Sequence, residues 1–81
     1  MAHINFKAES RTESIGASGK PKLIMDVIVT VEVLGFTFPV TASYEDGFVY
    51  YDKEYVRKQL RDARLSAMFR PSLREWMEKQ Q

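Results

Sequence analysis

The feature that most constrains the fold of this chain is a two-residue alternation of apolar side chains between residues 23 and 44. Every second residue is apolar over 23–33 and again over 36–44, and most of these are β-branched or aromatic. A period of two is typical of a strand with one buried face. Because only Leu34 and Gly35 separate the two runs, they predict an antiparallel hairpin.

A two-residue turn at Leu34-Gly35 pairs every apolar residue of one strand with an apolar residue of the other. A one-residue slip would place valine opposite threonine, so the pattern specifies the register. Pro39 then falls in a non-hydrogen-bonded pair, where its missing N–H breaks no bond to the first strand. Against this turn, Leu34 would need a positive φ if the turn is type I′. The predicted pairs are Val33–Phe36, Val31–Phe38, Val29–Val40, Val27–Ala42 and Met25–Tyr44.

A second hairpin is predicted at Asp46-Gly47, a dipeptide that suits a type I′ turn. The third strand, over 48–51, ends before it reaches Pro39, so the second strand has no partner on that side of the proline. The predicted pairs are Glu45–Phe48, Tyr44–Val49, Ser43–Tyr50 and Ala42–Tyr51.

A helix is predicted from residue 53 to about 69, with Asp52 as its N-cap. Its apolar stripe faces the sheet and contains small residues that allow close packing. Pro71 either starts a new helix over about 71–79 or kinks the first one. The residues of the stripe are Val56, Leu60, Ala63 and Ala67.

The predicted fold class is α+β, in two layers. A three-stranded antiparallel meander (about 23–33, 36–44 and 48–51) packs on one helix (about 53–69), and a short C-terminal helix (about 71–79) follows the proline break. With 81 residues, the chain is expected to be one domain that buries only about 60% of its unfolded surface.

Residues 1–22 are predicted to be a flexible N-terminal arm, and 23–81 the folded domain. The arm mixes serine, glycine, threonine and charge around Lys20-Pro21, which is typical of a linker. Residues 3–8 alternate and could add a short edge strand. The segment 16–20 invites comparison with a phosphate-binding loop, but its glycine spacing and the proline after Lys20 do not fit that motif.

Composition and charge narrow the functional classes. The chain has no cysteine and a net charge of +1, which argues against disulfides, thiolate metal sites and general polyanion binding. Residues 1–51 carry four basic and six acidic side chains, and residues 52–81 carry eight basic and five acidic ones. Because no run approaches 18 apolar residues and no signal-peptide core is present, we expect a soluble, cytoplasmic protein without a membrane partner.

The face of the sheet opposite the helix is predicted to be unusually apolar for an antiparallel sheet. Three explanations compete: the C-terminal segment or the arm covers it, it binds a partner or a second copy, or its aromatic rings stack on single-stranded nucleic acid. Asp26 and Glu45 on this face would repel phosphate, which disfavours the third explanation. The apolar residues are Ile24, Ile28, Phe48 and Tyr50.

We expect a small non-enzymatic protein-binding module, such as an adaptor, assembly factor or inhibitor, which binds another protein or itself. Large aromatic and apolar side chains in surplus on a small domain are typical anchors of an interface. No nucleophile, base or metal-ligand set converges, so no enzymatic activity, cofactor or metal is expected. The candidate protein-binding residues are Ile24, Ile28, Phe48 and Tyr50 on the sheet, and Phe69, Leu73, Trp76 and Met77 in the C-terminal segment.

The alternative function is nucleic-acid binding through a basic column on the predicted helix. Side chains at this spacing project together and could follow a phosphate backbone. The competing interpretation is a solvated helix flank whose arginine stems cover the sheet edge. The column consists of Lys53, Arg57, Lys58, Arg61 and Arg64.

Overall fold

The computed structural model of the protein describes residues 4–80. They form a four-stranded antiparallel sheet in the order β1-β2-β3-β4, with two helices contributing to the core on one face. The predicted α+β class with an antiparallel sheet is confirmed, but the sheet has one strand more than expected and the helices divide elsewhere. The elements are β1 (Ile4–Ile15), β2 (Pro21–Val31), β3 (Phe36–Glu45), β4 (Phe48–Tyr50), α1 (Lys53–Leu60) and α2 (Ala63–Lys79).

The β2–β3 hairpin has the predicted faces but a register shifted by two residues. Val31 pairs with Phe36, so the chain turns through four residues, 32–35, and not two. Gly35 alone among these has a positive φ, at 68°, and its N–H donates to the Val31 carbonyl at 2.8 Å. The predicted turn would have required the left-handed region for Leu34, which costs a non-glycine residue about 1–2 kcal/mol. A shift of two leaves every side chain on its original face.

Two consequences of the shifted register concern single residues. Val33, predicted to pair within the strand, lies in the loop and is 64% exposed. Pro39 pairs with Ile28 and not with Thr30. β4 pairs only with residues 43–45, so β3 has no neighbour beside Pro39 on its other edge, as predicted.

The Asp46-Gly47 hairpin is confirmed. Both turn residues have positive φ, 51° and 83°, as a type I′ turn requires. The ladder contains three of the predicted pairs and ends at Ser43–Tyr50. The fourth pair is not formed, because Tyr51 leaves the sheet and places its ring 5.1 Å from that of Phe69.

The prediction of a flexible arm over 1–22 is wrong for the residues that the structure describes. β1 runs antiparallel to β2 from Ile4 to Ile15, with an irregularity between Ala8 and Ser10. The predicted strand over 3–8 is therefore too short, and its first residue lies outside the described range. β1 escaped prediction because most of this edge strand faces solvent, so from Glu9 to Ser14 its side chains are polar on both faces and show no alternation.

The predicted helix over 53–69 is interrupted at residues 61–62. Arg61 has φ 52°, in the left-handed region, and its backbone N–H donates to the Arg57 carbonyl at 3.0 Å. Asp62 then caps α2, and its Oδ1 accepts from the N–H groups of Arg64 at 2.8 Å and Leu65 at 3.1 Å. The break expected at Pro71 is therefore wrong, and that proline lies inside α2.

The helix interruption changes which residues reach the core. Val56 and Leu60 are buried as predicted, but Ala63 and Ala67 are exposed. α2 instead buries a stripe with a four-residue repeat, which keeps one face of the helix on the sheet. That stripe is Leu65, Phe69, Leu73 and Met77.

Phe69 lies at the centre of the core. Its ring is 5.8 Å from that of Phe6 on β1 and 6.4 Å from that of Phe38 on β3. Together with Tyr51, these contacts connect α2 to the first strand, the third strand and the segment after β4. The helical layer is therefore fixed to one face of the sheet, and the opposite face remains available.

Candidate functional site

The candidate site is the sheet surface opposite the helices, which we call the open face. Its exposed aromatic residues are Phe48, 57% exposed, and Tyr50, 53% exposed. Ile24 and Ile28 are partly exposed on the same surface. All four residues lie on the face where the sequence predicted them, since Ile24 and Ile28 alternate with buried residues of β2, and Phe48 and Tyr50 flank the buried Val49.

The strand register gives the arrangement of the open face. Ile24, Ser43 and Tyr50 occupy one row across β2, β3 and β4. Ser43 lies between Ile24 and Tyr50 in this row. The isoleucine and the tyrosine are therefore two strand spacings apart, at about 4.8 Å for each spacing. Phe48 lies two residues from Tyr50 along the edge strand. The open face therefore has an aromatic edge on β4 and two isoleucines on β2.

Asp26 lies at the middle of the open face, between the two isoleucines of β2. Its carboxylate accepts hydrogen bonds from Ser10 Oγ and Thr41 Oγ1, each at 2.7 Å. These residues are its cross-strand partners on β1 and β3. The hydrogen bond from Thr41, followed by that from Ser10, lowers the pKa of Asp26. The carboxylate is therefore an oriented negative charge at neutral pH.

The second group of predicted protein-binding residues lies in the core. Phe69, Leu73 and Met77 are completely buried, because they form the stripe of α2 that faces the sheet. Trp76 is partly buried against Phe6, with ring centroids 5.6 Å apart. These four side chains hold the two layers together, so we do not include them in the candidate site.

The basic column is exposed but does not lie on one helix. Three of its members belong to α1, one to the break and one to α2, so their spacing along a single helix axis is lost. Among residues 4–80, none of the five takes part in an ion pair. The column therefore keeps its charge accessible. Its members are Lys53, Arg57, Lys58, Arg61 and Arg64.

A concave surface lies where α1 meets α2, and we call it the junction groove. It has a volume of about 540 Å³, within the range of about 300–1,000 Å³ typical of ligand sites. It is lined by the β2–β3 loop, the first residue of β3, the end of α1 and the two residues between the helices. Its lining residues are Leu34, Phe36, Lys58, Gln59, Leu60, Arg61 and Asp62.

Sequence reasoning missed two features of these surfaces. The hydrogen bonds to Asp26 were not predicted. Ser10 was assigned to the flexible arm, and the predicted hairpin register placed Ser43, not Thr41, opposite Asp26. The exposed loop tip was missed because Val33 continues the apolar alternation of β2, so that the turn was placed at Leu34-Gly35 alone. The unfavourable positive φ that a two-residue turn imposes on Leu34 was the signal that could have revealed the longer loop.

Neither a metal-ligand cluster nor a known relative assigns a function to these surfaces. Within residues 4–80, no three histidine, cysteine, aspartate or glutamate side chains are grouped to hold a metal ion. No helix in the same range has the length and apolar character needed to cross a membrane. Comparisons with family models, curated proteins and solved structures find no match.

Proposed function

We propose that this protein is a small non-enzymatic protein-binding module, an adaptor, assembly factor or inhibitor, whose contact surface is the open face. The exposure of Phe48 and Tyr50 on the uncovered side of the sheet is the observation that carries this proposal. An antiparallel sheet with one covered face ordinarily presents polar side chains on the other. Aromatic side chains in such a place are typical anchors of a protein interface.

The charge at the centre of the open face indicates the chemistry of the partner. Asp26 is held by two hydroxyl donors between Ile24 and Ile28. A lysine or arginine of the partner would pair with this carboxylate while apolar side chains cover the isoleucines. Such a charge match fixes orientation and suppresses wrong partners. The partner surface is therefore expected to be apolar with a basic side chain near its centre.

The proposal is tested by comparing proteins that co-purify with the tagged chain and with its Phe48→Ser/Tyr50→Ser double variant. Both positions are exposed, so the double variant should retain the fold. Partners of the open face should be enriched by the original chain and lost with the double variant. The control is Arg70→Gln, which alters an exposed side chain of α2 and should retain them.

Sedimentation measurements decide whether the partner is a second copy. A mass that doubles with concentration in the original chain, but not in the double variant, would identify self-association through the open face. A monomer in both, together with no protein whose capture depends on Phe48 and Tyr50, would contradict the proposal.

Nucleic-acid binding through the basic column is a second candidate, supported by five exposed cations without ion pairs among the described residues. Phosphate contacts by these side chains would make binding strongly dependent on salt. A mobility shift with mixed DNA and RNA at low salt tests it. We expect any complex to weaken when Arg57 and Lys58 are replaced by glutamine, and absence of a shift at low salt excludes this candidate.

A further inference from the structure

From the junction groove we infer a second binding surface, separate from the open face, which takes a short acidic peptide segment with apolar side chains from a partner protein. The inference does not depend on the proposed function of the open face. It rests on three properties of the groove: an apolar wall, a cationic rim and an arginine held in an unfavourable backbone conformation.

The apolar wall comes from the β2–β3 loop. Leu34 is 49% exposed and lines the groove beside Phe36, which is partly exposed. Leu60, at the end of α1, also lines the groove but is completely buried, so the accessible apolar surface comes from Leu34 and Phe36. An apolar side chain inserted here would gain burial against leucine and phenylalanine.

The rim of the groove is cationic. Lys58 and Arg61 line it, and Arg57 lines an adjoining groove of about 360 Å³ that also includes Arg61. The one carboxylate at this place belongs to Asp62, and its Oδ1 is engaged by two backbone N–H groups of α2. The rim therefore carries an excess of positive charge that complements glutamate or aspartate side chains.

Arg61 is the residue that most favours a binding role. It occupies the left-handed position that ends α1, where glycine is the usual residue because it has no Cβ to clash. Its Nε donates to the Lys58 carbonyl at 3.4 Å, which keeps the guanidinium beside the groove. The cap alone would favour glycine. An arginine at this position is explained if its side chain is needed, since backbone strain is often retained at functional sites.

The apolar wall favours a peptide over a nucleic acid. A phosphate backbone would pair with Lys58 and Arg61 but gain nothing from Leu34 and Phe36. A peptide that alternates acidic and apolar side chains satisfies both parts of the groove. The groove is also concave, whereas the cations of the basic column outside it are spread over two helices.

The test is an NMR titration of the full chain with a short synthetic peptide of leucine and glutamate. The amide shifts of residues 34–36 and 58–62 should move most, with few changes on the open face. Arg61→Gly should weaken binding by about tenfold while retaining or raising the melting temperature, and Leu34→Ser should also weaken it. Arg70→Gln and the Phe48→Ser/Tyr50→Ser double variant should bind like the original chain.

Three comparison ligands make the result decisive. A peptide of leucine and lysine and one of glutamate alone should bind much more weakly, because each lacks one of the two required features. A single-stranded DNA oligonucleotide should also bind more weakly. The inference is overturned if the glutamate peptide or the DNA perturbs residues 58–62 as strongly, if Arg61→Gly leaves affinity unchanged, or if the leucine–glutamate peptide shifts nothing in the groove. None of these outcomes bears on the open face, which is tested separately by the Phe48→Ser/Tyr50→Ser double variant.

Discussion

Asp26 is the residue whose ionisation the structure most clearly constrains. Hydrogen bonds from Thr41 and Ser10 lower its pKa in the folded chain, below the ordinary value of 3.8. The unfolded chain lacks these bonds, so ionised Asp26 stabilises the fold at pH values above 3.8. That contribution is lost as the pH falls through the lower pKa of the folded state. Acid should therefore weaken the cross-strand connection between β1, β2 and β3.

Replacing Thr41 with valine should raise the pKa of Asp26, because the larger of the two hydrogen-bond contributions is removed. Carboxylate ¹³C shifts measured against pH report the titration midpoint directly. The Ser10→Ala variant is the matched comparison and should produce a smaller rise. A midpoint that stays unchanged in Thr41→Val would show that the hydroxyl does not hold the carboxylate.

The left-handed backbone conformation of Arg61 leads to a second prediction. With its φ of 52°, replacement by glycine should raise the free energy of unfolding by about 0.5–1 kcal/mol, since relief of the left-handed strain outweighs the added entropy of the unfolded chain. Arg64→Gly, in the first turn of α2, should instead lower it by about 1 kcal/mol. Urea unfolding measures the free energy of unfolding of both variants. A loss of stability in both would show that Arg61 does not carry left-handed backbone strain.

Among the elements, β2, β3 and β4 were predictable, and β1 was not. The alternation over 23–44 predicted the faces of β2 and β3, and Asp46-Gly47 predicted the turn before β4. The alternation did not determine the hairpin register. The choice between a two-residue and a four-residue turn depended on the positive φ that the shorter turn imposes on Leu34. β1 contributes few apolar side chains to the core, so its sequence carries little hydrophobic signal. The strand forms through backbone pairing with β2. Its residues therefore resembled a linker.

The division of the helices was unpredictable for a different reason. Leu60 and Ala63 continue one apolar stripe if the helix is continuous, so periodicity favoured a single helix ending near Pro71. The structure instead buries Leu65 and Phe69, which requires a change of direction after Leu60. Asp62 was the available signal, since aspartate is a good N-cap. Because the break was predicted at Pro71 and not at 61–62, the stripe of α2 was not recognised as part of the core. Its residues were therefore assigned to an interface.

The cap at Asp62 is expected to be required for that change of direction. Asp62→Ala leaves the N–H groups of Arg64 and Leu65 without their side-chain acceptor, which should lower the free energy of unfolding by about 0.5–2 kcal/mol. Asp62→Asn is the control and should retain most of the stability. If alanine were tolerated at no cost in chemical denaturation, the junction would not depend on this cap.

In the molecule as a whole, the core and the open face lie on opposite sides of the sheet. Phe69 contacts rings from three other parts of the chain, and its stripe on α2 covers only one face of the sheet. The opposite face of the sheet is the open face. The junction groove lies where α1 meets α2. The open-face residues were predictable from alternation, whereas the groove requires the β2–β3 loop and the end of α1 to lie beside each other, which only the tertiary fold determines.

Phe69→Ala should destabilise the protein by about 3–5 kcal/mol, because it removes a fully buried ring and leaves a cavity between the layers. In a domain of this size that loss is a large part of the total stability. Thermal unfolding checks it, with Met68→Ala, at a partly exposed position of the same helix turn, expected to cost far less. Equal effects of the two substitutions would contradict the placement of α2.

The open face as a protein-contact surface is tested most directly by photo-crosslinking in the cells that naturally produce the protein. A benzophenone side chain is placed at position 50 on the open face, and in a second sample at position 70 on the helical layer. We predict discrete protein adducts from position 50 that disappear when Phe48 is also replaced by serine, and no matching adducts from position 70. Absence of adducts at position 50, or the same adducts from both positions, would contradict the account.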